Sequence, residues 1–196
     1  MILSMDQDEF WAIVAESRSR AGGQILGQTA ALHELLSTRP LDDVLAFQRH
    51  LVTALDRAGS TDLAHAAGLL LGGVGDDSFQ DFRTWLLCHG REVFERALAD
   101  PDTVAVLTYD EDGEDFGEAE RFGYVATDVY TERSGGELPD NEMFRPYGGD
   151  DGLYDEATLR TRLPRLFARA HLAHPEYLRM RELVREALRR GSEPRA

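Results

Sequence analysis

The chain has 196 residues, of which 42% are hydrophobic, and a formal net charge of -15. That length fits one folded unit with a genuine core, and the composition excludes a disordered chain. The acidity, with Arg and no Lys among the basic side chains, argues against direct grip on nucleic acid or on an anionic membrane surface, both of which repel carboxylates.

Helical periodicity dominates the first hundred residues. Ser4 and Asp6 are both N-cap candidates, with Gln7 and Glu9 three residues on in capping-box positions. The first helix runs through Phe10, Trp11 and Val14 to Gly22-Gly23. A second spans Gln24 to Ser37, with Ile25, Leu32, Leu35 and Leu36 as its apolar stripe. Pro40 opens a third, along which Val44, Phe47, Leu51 and Leu55 recur at steps of three and four. Ser60 or Asp62 caps a fourth, "DLAHAAGLLLGG", which stops at Gly72-Gly73. "FQDFRTWLLCHG" makes a fifth, with Phe79, Phe82 and Leu86 on one face, and "REVFERALAD" a sixth that runs into Pro101.

From Tyr109 to Glu120 seven of twelve residues are acidic and none is basic, which predicts a solvated loop. In "EAERFGYVATDVYTER" the alternation suits a strand, but Phe122, Val125, Val129 and Tyr130 are spaced for a helix, and a helix is expected. Residues 134 to 153 form a long Gly-, Pro- and Asp-rich loop, of a length that points to function or mobility. "DEATLRTRL" starts a short helix interrupted by Pro164, and Pro175 opens the last helix, where Arg181, Arg185 and Arg189 form a stripe. The expectation is an all-α fold: one compact, irregular bundle of about eight to ten helices over residues 1–196. It carries two long acidic loops and an Arg-rich C-terminal helix at about 175–190. Residues 1–156 hold 32 acids and 11 Arg, net -21, whereas residues 157–196 hold 10 Arg and 4 acids, net +6. The basic end either docks on the acidic body or grips an anionic partner.

Few residues suggest chemistry. In "GGVGDDSFQDFRTWL" two aspartates follow a glycine cluster at a helix start. The run lacks the third Gly of a dinucleotide fingerprint and the Gly-Lys-Ser/Thr of a P-loop. Asp76 and Asp77 either cap the helix or serve as ligands, and two adjacent carboxylates alone rarely hold a cation. Arg83 is the best candidate for an anion contact and is otherwise an exposed Arg. Cys88 and His89 are neighbours that do not face each other on a helix, so Cys88 reads as a buried apolar residue and His89 as a cation near a helix C-terminus. "HELLS" lacks the second His of a zinc-protease helix, and His171 and His174 do not share an assured face before Pro175. The run from Asp110 has Asp115 where a calcium loop needs Gly and Arg121 where it needs Glu. The candidate ligand-binding residues are therefore Asp76, Asp77, Arg83 and His89, with no catalytic residue, no metal and no cofactor expected. A single cysteine, an opening "MILSMDQDEF" without the features of a signal peptide, and no apolar run of membrane length together predict a cytoplasmic protein.

The segments "MDQDEFWAIV", "GGVGDDSFQDFRTWLLCHGREVFERALADPD", "YVATDVY" and "LPRLFAR" together resemble the bacterial family DUF4240, a domain of unknown function, from about Met5 to Arg169. The central block is the most specific part. Family members usually read Ser-Asp-Asp where this chain has Gly75-Asp76-Asp77, and tend to carry a Trp where it has "DLAHAA". The resemblance implies a compact, mostly helical cytoplasmic protein and carries over no reaction.

Two functions stand against each other on these grounds. The first is a non-enzymatic interaction or regulatory module whose acidic surface engages a basic protein partner. The alternative is an enzyme or binder of a small ligand or divalent metal using Asp76, Asp77 and Arg83. A third reading, a dimerising structural protein, rests on aromatics in the 134–153 loop. The sequence leaves the oligomeric state open.

Overall fold

A computed structural model describes residues 5–110, 113–138 and 154–191. Among them the chain forms ten α-helices and one 3-10 segment and no strand: α1 Gln7–Arg20, α2 Gln28–Ser37, α3 Leu41–Arg57, α4 Thr61–Leu71, α5 Asp76–Cys88, α6 Arg91–Ala99, the 3-10 segment Pro101–Val106, α7 Glu114–Ser134, α8 Glu156–Arg162, α9 Pro164–Ala173 and α10 Pro175–Gly191. The all-α bundle expected from periodicity is the observed architecture. No described helix is long and apolar enough to cross a membrane.

Several helix starts follow local capping chemistry. The Asp6 carboxylate accepts from the Glu9 amide at 2.8 Å, the Ser60 hydroxyl from Leu63 at 3.2 Å and Asp155 from Thr158 at 2.7 Å, each satisfying a donor of the first turn. Ser4, the other cap expected for α1, lies outside the described residues. Pro40 and Pro164 set the starts of α3 and α9, where a missing N–H costs nothing.

Two boundaries differ from the sequence expectation. The acidic run is not a loop through Glu120: α7 begins at Glu114, and the Asp110 carboxylate accepts from the Glu114 and Asp115 amides at 2.8 and 3.0 Å. Acids are favoured in a first turn, where they meet the positive end of the helix dipole, so acid density here marked a helix start. Of the second expected acidic loop, residues 139–153 lie outside the described residues. Similarly, α2 starts at Gln28 rather than Gln24, because Gly27 turns the chain at φ +89°. Ile25 is buried as part of the preceding turn.

Helix α7, the longest described, is the central strut and packs against α2, α3 and α5. Trp85, Phe82, Phe10, Phe47 and Phe122 are fully buried between them. On the other side, α9 packs on α4 and the 3-10 segment, and carries α10.

The bundle's polar architecture is long-range. Glu118 on α7 caps α2, accepting from the Gly27 and Thr29 amides at 3.0 and 2.9 Å. Burial alone would raise its carboxyl pKa, but the bonds from Thr29 and Arg121 hold it below the usual range. Buried Asp102 caps α9, accepting from the Arg165 and Leu166 amides at 3.1 and 2.9 Å. Helix C-termini are treated likewise. Arg18 and Gln28 donate to the Cys88 carbonyl at 3.2 and 3.1 Å, while Tyr109 donates to that of Leu70 at 3.0 Å. Charged side chains are thus buried where they complete a distant helix end.

Candidate functional site

Helix α5 turns its aromatic face, with Phe79, Phe82 and Trp85, into the core. Its other side meets α7 across a cleft of about 180 Å³ lined by Asp77, Gln80, Asp81, Thr84, Glu120 and Tyr124. On α5 the lining residues Asp77, Asp81 and Thr84 sit at i, i+4 and i+7, and on α7 Glu120 and Tyr124 sit at i and i+4, so each set occupies one helix face. Three carboxylates therefore meet in one small concavity.

The setting of Asp81 is electrostatically unfavourable. Asp81 is partly buried, and its pKa is pushed up to about 6, first by burial and then by the negative charges of Glu120 and Asp77. Among the described residues no Arg or His forms an ion pair with Asp77, Asp81 or Glu120. At the cleft wall the Gln80 side chain accepts from Arg83 through its oxygen, and its buried Nε2 has no hydrogen-bond partner among the described residues. No group of three or more His, Cys, Asp or Glu among the described residues is placed to hold a metal ion.

The four sequence candidates separate. Asp77 lines the cleft and Asp76 lies beside it, and both are exposed. Among the described residues neither aspartate accepts a backbone hydrogen bond, which corrects the capping expectation. The N-cap falls one residue earlier, at Gly75, whose amide donates to the Ser78 hydroxyl at 2.9 Å. From the first turn itself an aspartate cannot fold back on the amides that follow, and its contribution reduces to the dipole.

Arg83 is neither exposed nor aimed at an anion. It is 3% exposed and donates to the Leu55 carbonyl at the end of α3 at 3.2 Å. Its guanidinium lies over the Phe79 ring, and burial lowers its pKa. Its task is to close α3 and steady Gln80. His89 ends α5, with Nδ1 2.9 Å from the Trp85 carbonyl oxygen and its ring against the Trp85 indole. Burial lowers its pKa, which weakens the cation role expected near a helix C-terminus. Cys88 is fully buried and its thiol pKa is raised by that burial, so it is no nucleophile.

Sequence reasoning missed Asp81 and Glu120. One signal for Asp81 was legible: Asp77 and Asp81 are like charges four residues apart on one helix, a spacing that destabilises an isolated helix. Glu120 carried no such mark, because only packing of α7 on α5 brings it in. A second, shallower concavity lies at Gly27, Thr29, Ala30, His33, Glu34, Glu118 and Arg121. Its charges are committed to structure: Glu118 caps α2 and pairs with Arg121 at 2.9 Å, and His33 contacts Glu132 at 3.0 Å.

The model of a protein family described as "Protein of unknown function (DUF4240)" matches residues 5–132 of the chain. The match starts where the sequence resemblance starts and ends before "LPRLFAR". It takes in α1 to α6, the 3-10 segment and nearly all of α7, and so both walls of the cleft. No curated protein and no solved structure matches the chain.

Proposed function

We propose that this chain, which belongs to the DUF4240 family and takes no activity from that membership, is a non-enzymatic interaction module whose α5–α7 cleft receives a cationic side chain of a basic protein partner. The observation that carries the reading is the convergence of Asp77, Asp81 and Glu120 with no cation of the described chain to neutralise them. An Arg or Lys head group inserted there offsets both the burial and the repulsion that raise Asp81, and the cleft is of a size for one such group. The partial burial of Asp81 strengthens the attraction over that of an open surface. The free Gln80 Nε2 adds a donor for a partner carbonyl. An extended guanidinium suits separated carboxylates, while a metal ion needs donors within a much tighter shell. Of the residues that the alternative small-ligand or metal-binding reading uses, Asp77 lines the cleft beside Asp81 and Glu120, whereas Arg83 faces the end of α3.

A labelled hexa-arginine peptide tests this by fluorescence anisotropy. The double variant Asp81→Asn, Glu120→Gln is compared with Asp42→Asn, Asp128→Asn, which removes the same charge from exposed sites outside the cleft. Loss of the two cleft carboxylates weakens binding by about tenfold or more, as expected for removing two converging charge partners, one of them partly buried. Equal weakening by both double variants reduces the effect to net charge and overturns the assignment.

A further inference from the structure

We infer that the α5–α7 cleft exchanges a proton for its cation: in mildly acidic solution Asp81 carries a proton while the cleft is empty and releases it when the cationic side chain of the partner enters, so the partner is bound at neutral pH and let go on acidification. This rests on the cleft reading proposed above and adds its regulation.

Geometry sets Asp81 apart from the buried acids Glu118 and Asp102. Each of those is held as a carboxylate by backbone amides and an arginine. Asp81 is partly buried and, among the described residues, accepts no hydrogen bond and meets no cation. The Thr84 hydroxyl in the same cleft donates instead to the Gln80 carbonyl at 3.2 Å. The Arg83 guanidinium turns away to the Leu55 carbonyl. The titratable groups that face Asp81 are Asp77 from its own helix and Glu120 and the Tyr124 phenol from α7. Helices α3, α4 and α6 also touch α5, and none of their side chains lines the cleft.

A carboxylate taken partly out of water, without a donor and between two like charges, favours whatever cancels its charge. A proton does so in the empty cleft, and the Asp81 pKa is accordingly raised to about 6. A guanidinium or ammonium from a partner does so in the occupied one. The two therefore compete for the same acid. By linkage, a cation that favours the charged form lowers the proton affinity, and protonation lowers the affinity for the cation by the same factor. With one acid titrating at about pH 6 in the empty protein, affinity is lower by up to about tenfold at pH 5 than at pH 7. At pH 6 association expels on the order of half a proton. The side chain of arginine stays charged throughout this range, so an arginine peptide contributes no titration of its own.

Labelled hexa-arginine is titrated onto the full chain by fluorescence anisotropy at pH 5, 6 and 7 and constant ionic strength. Calorimetry at pH 6 in two buffers of different ionisation enthalpy counts the protons released. Wild type binds about five- to tenfold more weakly at pH 5 than at pH 7 and expels about half a proton at pH 6. Asp81→Asn, shown to be folded by circular dichroism, binds with one reduced affinity at all three pH values and expels none. Histidines elsewhere affect every variant alike, so the difference between these two chains is the readout. Asp42→Asn, Asp128→Asn keeps the wild-type slope. A wild-type affinity that varies by less than about twofold, or a slope that Asp81→Asn retains, overturns this inference. The cleft reading then still stands if Asp81→Asn, Glu120→Gln binds more weakly than wild type at pH 7. A peptide that does not distinguish that double variant from wild type at any pH overturns both.

Discussion

Removing the Asp102 carboxylate tests the idea that this bundle is held by caps supplied from distant elements. Asp102 is 3% exposed. It accepts from the Arg165 and Leu166 amides at 3.1 and 2.9 Å and from Arg165 Nε at 2.9 Å. Pro164 has no N–H, and the Phe167 amide already donates to Leu163. The two amides bound by Asp102 are therefore the ones that need an outside acceptor at the start of α9. In Asp102→Ala both lose their acceptor, the Leu166 amide in a buried setting and the Arg165 amide in a partly buried one. Each bond from an amide to an ionised acceptor contributes about 1.5–3 kcal/mol. Partial relaxation reduces the sum, and about 3–4 kcal/mol is expected in total. The guanidinium contributes little to this, because the Arg165 side chain is 54% exposed and rehydrates. Urea unfolding followed by far-UV circular dichroism measures the loss, and the melting temperature should fall by roughly 6–16 °C for a chain of this size. Arg165→Ala is the control and should cost less than about 1 kcal/mol. If the two variants lose the same stability, the ion pair and not the helix cap is responsible. If Asp102→Ala loses under about 1 kcal/mol, the carboxylate is not needed for α9 at all.

Three further outcomes follow from the same geometry. Asp81 is an acid whose native pKa is raised to about 6; the native state keeps a proton that the unfolded chain releases between about pH 4 and 6, so its contribution to stability falls as pH rises through that window. Asp81→Asn should flatten that slope and stabilise the protein at pH 7 by on the order of 1 kcal/mol, after discounting for its half-exposed setting, and an unchanged urea midpoint there would contradict it. Glu118 has the opposite sign: its lowered native pKa gives stability present above about pH 4.3 and lost as pH falls through the native value. In Glu118→Gln acid unfolding should be less steep over that range, while stability at pH 7 drops by about 1–3 kcal/mol. Gly72→Ala meets φ +74° and a methyl 2.7 Å from His174 Nδ1, which should cost about 2–3 kcal/mol in urea unfolding. Gly75→Ala meets open space at φ -104° and should change stability by under about 0.5 kcal/mol.

Helices with their own caps and stripes were legible in the sequence. Asp6, Ser60 and Asp155 act within three residues of themselves, and Phe79, Phe82 and Trp85 repeat with the helical period. What the sequence hid is anything closed across a long loop. Arg83 shows why: an Arg in an acidic chain reads as exposed, and only the end of α3, 28 residues away, gives it a reason to be buried. The start of α2 moved to Gln28 because its amides await Glu118, which is 89 residues from Thr29. Asp77 was singled out for a helix start and belongs to a cleft, since its neighbour Glu120 arrives from another helix. Local patterns fix which side chains share a face, and packing decides which faces meet.

The charge asymmetry of the chain can be reread in these terms. Arg165 meets Asp100 and Asp102, Arg162 meets Asp62, and Arg185 meets Asp155. The basic C-terminal region thus returns part of its charge to the acidic body, as docking of the basic end would require. The α5–α7 cleft lies outside this exchange, for none of the Arg residues of α8, α9 or α10 pairs with Asp77, Asp81 or Glu120. On the reading proposed above, the acids of that concavity, where Asp81 is held at a cost to stability, take their cation from another molecule. Stability lost at such a place and regained on binding is the usual sign of a recognition site.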